Sequence, residues 1–216
     1  MSYTLNVNFS EEALEKLQDS GHVVTIVKVC DDNNHTQSNA EKANSDDVQE
    51  LAWVTFRPWQ EGAVKWEEKY SVYASDTKIT KGVVIERVAH KEAEKQDRQY
   101  LFKGGYFHEN EYEGQDENSY YVRNEGGEME TFGLAQTVKV KSDKVDIAPI
   151  NAFSMLNNED GYFTPIEKIK IFLSSDASNG KVISHAQSDA LLVDFTERAE
   201  RTVEYDPVKS VFRIAK

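Results

Sequence analysis

The side chains of this chain best suited to recognition chemistry are aromatic. Five of its ten tyrosines (Tyr100, Tyr106, Tyr112, Tyr120 and Tyr121) fall in one acidic, glycine-rich stretch beside His108, Asn110 and Asn118. Tyrosine, asparagine and glycine together make a binding-surface composition: rigid amphipathic rings give contact area at small entropic cost, and the amides adapt their hydrogen bonds. The competing reading is a long loop pinned to a sheet by its tyrosines. A second group, Trp53, Phe56, Trp59, Trp66, Tyr70 and Tyr73, reads mostly as core. Trp59 stands apart because it follows Pro58 in what reads as a turn, where a large ring is hard to bury. An exposed ring at a loop tip can stack on a sugar, insert at a lipid interface or anchor a partner. The candidate ligand-binding residues are therefore Trp59, Tyr106, His108, Tyr112, Tyr120 and Tyr121.

Other chemistries find less support. His22, His35, His90, His108 and His185 show no metal-ligand spacing with one another. Residues 31–50 offer carboxylates and amides, yet lack the glycine and closing glutamate of a calcium loop. Gly104-Gly105 and Gly126-Gly127 read as turns rather than phosphate cradles. Cys30 ends an apolar run and reads as a small buried hydrophobe. Acidic pairs such as Glu11-Glu12, Asp46-Asp47 and Glu67-Glu68 are too numerous for any one to signal a glycosidase. No catalytic residue, metal or cofactor is expected.

The positioning elements follow from composition and pattern. With 216 residues, 39% of them hydrophobic, the chain is long enough for its own core. A formal charge of −13, with basic residues scattered singly among acids, excludes a nucleic-acid footprint and disfavours anionic membranes. Carbohydrate and neutral lipid surfaces stay open as partners. The first nine residues alternate apolar and polar, which predicts a strand rather than a signal peptide. A lone cysteine fits a reducing compartment, so synthesis in the cytoplasm is expected, with any release by a non-classical route.

One helix is predicted over residues 10–21, with Ser10 as its cap and Gly21 as its stop. Residues 31–50 read as a mobile acidic loop. Residues 89–99 read as a short exposed helix, and residues 108–127 as a long loop around a short strand at Tyr120-Tyr121-Val122. Strands are expected at residues 22–30, 51–56, 64–66, 70–73 (bent from the previous one at Glu67-Glu68), 83–88, 100–102, 137–140, 150–155, 166–173, 181–184, 190–195, 202–205 and 211–214. Residues 62–75 align without gaps on residues 161–174, an offset of 161 − 62 = 99, and Gly82 to Ile85 then meets Gly180 to Ile183. This suggests an internal repeat relating 51–90 to 150–190 and pseudo-duplicated halves. The expected architecture is a single all-β domain over residues 1–216, mainly an antiparallel β-sandwich with one short N-terminal helix. The expected function is non-enzymatic binding of carbohydrate or a neutral lipid surface in a lectin-like or toxin-like role. Self-association into a homo-oligomer or inclusion-type assembly comes second, and a hydrolase with dispersed carboxylates third.

Overall fold

The structure, a computed structural model, describes residues 1–30, 49–94, 98–112, 118–140, 143–183 and 190–215. The chain begins with β1 (Ser2–Asn8), α1 (Glu11–Gln18), β2 (Val23–Cys30), β3 (Gln49–Glu50), β4 (Val54–Phe56), β5 (Glu61–Glu67), β6 (Tyr70–Ser75), β7 (Ala89–Ala93) and β8 (Arg98–Lys103). It continues with β9 (Tyr106–Glu111), β10 (Tyr120–Asn124), β11 (Glu130–Val140), β12 (Asp143–Pro149), β13 (Asn151–Met155), β14 (Asp160–Phe163), β15 (Pro165–Ser174), β16 (Leu191–Asp194), β17 (Glu200–Asp206) and β18 (Val211–Ile214). The fold is all-β and sandwich-like, with one short helix among the described residues.

Three sheets form. The largest has ten strands and runs β18-β17-β1-β5-β11-β13-β3, with β12 and β6 also on β11 and β7 on β6. A second runs β14-β10-β8-β9 and a third β16-β15-β2-β4. Pairing is antiparallel except for β1 with β17 and β10 with β8. The alternation of the first strand has its physical consequence: Tyr3, Leu5 and Val7 are buried, while the residues between them are half-buried. Ser10 caps α1 by accepting the amide of Ala13 at 3.2 Å, and Gly21, at φ 70°, turns the chain into β2.

β5 and β6 run on as one bent strand against β11. Five residue steps from Trp66 to Ser71 face three steps from Val138 to Ala135, so two extra residues bulge out between them. The main core draws on all three sheets, including Leu5, Ile26, Trp53, Val72, Tyr100, Phe132 and Ile171. A smaller apolar cluster around Tyr73, Ile85, Ala152 and Val182 covers the other face of the large sheet.

Three expectations need correction. Ala89–Ala93, expected as the start of a helix, is β7, paired with β6. Its alternating burial, half-buried His-flanked positions beside exposed ones, is strand periodicity hidden by charged side chains. Residues 108–111, expected as the start of a loop, belong to the strand β9, while the short strand expected at Tyr120-Tyr121-Val122 is β10. Of the acidic segment 31–50, Gln49–Glu50 forms β3 on β13, and residues 31–48 lie outside the described residues. The two repeat segments occupy different surroundings: residues 62–75 supply β5 and β6 of the large sheet, whereas residues 161–174 supply β14 and β15 of the two smaller ones. Their continuations meet, with the Val182 amide donating to the Val83 carbonyl at 2.8 Å and the Ile85 amide to Gly180 at 3.0 Å. Among the described residues no helix is long and apolar enough to cross a membrane.

Candidate functional site

The second sheet buries one face and leaves the other to solvent. Tyr120, Val122, Tyr100, Phe102 and Phe163 point into the core. Cross-strand partners share a face, so register defines what the outer face carries. One row across the sheet reads Tyr162, Tyr121, Gln99, Asn110, and the next reads Asp160, Arg123, Leu101, His108. Lys103 and Tyr106 continue it.

The rings in the first row are ordered by one another. Tyr121 and Tyr162 lie 5.8 Å apart at an interplanar angle of 28°, and Tyr112 lies 6.1 Å from Tyr121 at 35°. Beside them runs a polar chain. Gln99 donates Nε2 to Asp160 Oδ1 at 3.0 Å, and Arg123 donates Nη1 to Asp160 Oδ2 at 2.6 Å. Arg123 Nε and Lys103 Nζ both reach Glu125, at 3.2 and 3.3 Å. Those two cations, Arg123 first, hold the Glu125 carboxyl below the usual carboxylate range. Charges tied to one another in this way keep their side chains in fixed positions, which lowers the entropy lost when a ligand docks.

Four of the six sequence candidates meet here: Tyr106, His108, Tyr112 and Tyr121. Tyr106 is 73% exposed and Tyr112 40% exposed. The other two do not join them. Tyr120 is one residue from Tyr121 and therefore faces inward; it is buried 5.5 Å from the Tyr70 ring, and burial pushes its hydroxyl well above the ordinary tyrosine range. Trp59 is no exposed loop tip. It lies against Phe56 with centroids 4.2 Å apart, and it rests over Gly62, where an added Cβ would fall 1.3 Å from its Nε1. A missing side chain three residues on gives the ring the seat that a turn was expected to deny it. Sequence reasoning passed over Tyr162, Gln99, Arg123 and Asp160. Alternation through Tyr120-Tyr121-Val122-Arg123 was the available signal for Arg123; nothing local marks Tyr162, which arrives from a distant strand.

A second polar cluster lies between the large and third sheets. Lys28 of β2 is fully buried, and its Nζ pairs with Glu167 Oε2 at 2.7 Å. Tyr3, Trp53, Trp66 and Tyr70 surround that ammonium at 5.3 to 5.9 Å from their ring centroids. The Tyr70 hydroxyl donates to Glu167 Oε1 at 2.8 Å and Trp66 Nε1 to Oε2 at 3.5 Å. Burial lowers the Lys28 pKa against the pull of Glu167. Burial raises Tyr3 to about 12 and lifts Tyr70 well above the ordinary tyrosine range, each with help from the Glu167 charge. With Lys28 wholly enclosed, this cluster ties sheets together and offers no surface to a ligand.

Compared with models of protein families, with curated proteins and with solved structures, the chain finds no match.

Proposed function

We propose that this chain is a non-enzymatic carbohydrate-binding protein whose recognition surface is the outer face of the β14-β10-β8-β9 sheet. The observation that carries the reading is the ring series Tyr112, Tyr121 and Tyr162 set beside the bonded chain Gln99, Asp160, Arg123 and Glu125. Sugars offer apolar C–H faces to aromatic rings and hydroxyls to planar amides, carboxylates and guanidinium groups, and this face supplies both kinds of partner side by side. A neutral lipid surface fits less well, because Arg123, Asp160, Lys103 and Glu125 would lose water and gain no partner beyond the ones they already hold among themselves.

Self-association through a sheet edge is the second reading, favoured by β9 standing at the end of its sheet. Glu109 and Glu111 on that strand work against pairing between copies, so the carbohydrate reading ranks first.

A glycan array followed by titration calorimetry tests it. Tyr121→Ala and Tyr162→Ala are each expected to weaken binding of the best array ligand about tenfold, the weight of one lost ring contact, with little change in melting temperature. An empty array, or alanine variants that bind as tightly as the parent, would remove the proposal. Light scattering across a wide concentration range addresses the second reading: growth in size with concentration supports it.

A further inference from the structure

Basic residues that fall singly along the sequence do not stay apart in the fold. On the face of the large sheet turned away from the main core, Lys65 of β5 stands directly across from Lys139 of β11. Both are exposed, while their neighbours Val64, Trp66, Val138 and Val140 are buried. Like charges directly opposite on an antiparallel pair repel. Among the described residues neither lysine forms an ion pair; the adjacent Glu67 carboxylate is taken by Lys69 at 3.1 Å. Lys69 holds the Glu67 carboxyl low and Lys139 lies close enough to help, yet the ion pair of Glu67 is with Lys69.

The two lysines line a cleft of about 530 Å³ that opens at the bulge between β5 and β6. Bulges re-aim side chains and interrupt pairing, and here the interruption leaves a concavity in an otherwise continuous sheet face. Lys69 and His90 add to the wall, Ser71 and Thr137 bring hydroxyls, and Glu67 and Glu92 are the acidic members. Three ammonium groups against two carboxylates leave a local positive excess on a chain of net charge −13.

We propose that this cleft binds a small soluble ligand through a phosphate or sulfate group, held between Lys65 and Lys139 with hydroxyl donors from Thr137 and Ser71. Each ammonium brings three N–H donors to an acceptor-only group, and the anion removes the repulsion between the two cations. The volume falls in the usual range of small-molecule sites, so an organic ester fits as well as a free anion. An extended anionic surface, whether membrane or nucleic acid, meets the repulsion of the whole molecule. A small anion in the cleft responds to charges within about one Debye length, roughly 8–10 Å at physiological salt.

Titration calorimetry with inorganic phosphate, at constant ionic strength set with sodium chloride, tests this on the full chain. Saturable binding is expected in the parent, weakened at least tenfold in Lys65→Gln and in Lys139→Gln, and lost in the double variant. Melting temperature in phosphate-free, low-salt buffer is the second readout. It should be equal or higher in the double variant, because the repulsion is gone. Binding affinity rather than melting decides the ligand question, since phosphate and sulfate stabilise folded proteins generally. No saturable heat in the parent, an undiminished response in the double variant, or a lower melting temperature of that variant without phosphate would each overturn the proposal.

Discussion

At the scale of single residues, the fold makes its largest electrostatic commitment at Lys28 and Glu167. A lone ammonium in that position would lack a partner, so the pair is asymmetric. Glu167 keeps two other donors, Tyr70 and Trp66, and is 14% exposed, whereas Lys28, among the described residues, forms its ion pair with Glu167 alone and has no exposure. Removing Glu167 therefore strands a buried charge, and Glu167→Ala should cost about 3–5 kcal/mol. Lys28→Met puts an apolar chain among four rings and leaves the carboxylate bonded, so its loss should be clearly smaller. Urea denaturation of the two variants gives the comparison. Equal losses would mean that the carboxylate depends on the lysine as much as the reverse. Nothing in the run Val23–Cys30 marks Lys28 as special, because a strand buried on both faces reads as uniformly apolar and a single lysine in it looks like an edge.

At the scale of elements, close approach of β11 to β13 depends on Gly133. A Cβ there would fall 2.3 Å from the Asn151 carbonyl oxygen and 2.8 Å from Tyr73 Cε1. Both are held: Tyr73 donates its hydroxyl to that same carbonyl at 2.6 Å, and the Leu134 amide donates to Asn151 Oδ1 at 2.7 Å. Gly133→Ala must move backbone, and a loss of about 3 kcal/mol is expected, the upper end of ordinary overpacking. Gly62→Ala meets the Trp59 ring instead, so the smaller loss should come with a change in tryptophan fluorescence. A melting temperature unaltered in Gly133→Ala would show that β13 can retreat freely. Elements were legible in the sequence where one face buries apolar groups at period two, as in β1 and β17. β9 was not, because only Phe107 of its six residues leaves the exposed class and no alternation survives. The tyrosines of the candidate site were visible as a composition, but their sorting into Tyr121 outward and Tyr120 inward needs the register with β8 and β14. Cross-strand neighbours such as Tyr162 are set by pairing that no local pattern encodes.

For the whole molecule, charge and acid stability are linked through carboxylates that the fold holds ionised. Asp194 accepts from Thr196 and pairs with Lys168 at 3.1 Å, and these contacts, Thr196 first, bring its pKa down to about 2. Asp206 is lowered in the same way, chiefly by the Lys209 amide and then the Val208 amide. A carboxylate whose folded pKa lies below its unfolded value of about 3.9 adds stability above that value and loses it as pH falls toward the folded one. For Asp194 the window runs from about pH 4 down to about 2. Over the same range the −13 of neutral pH gives way to a positive excess from 25 lysines and arginines and five histidines, so general repulsion also grows. The two effects separate in a difference measurement. The stability gap between the parent and Asp194→Asn, read from urea midpoints, should be constant from pH 7 to 5 and close toward zero between pH 4 and 2. General repulsion acts on both proteins nearly alike and drops out of the gap. A gap that stays flat through pH 2 would mean that Asp194 gains nothing from Thr196 and Lys168, and that acid unfolding of this chain is governed by its net charge.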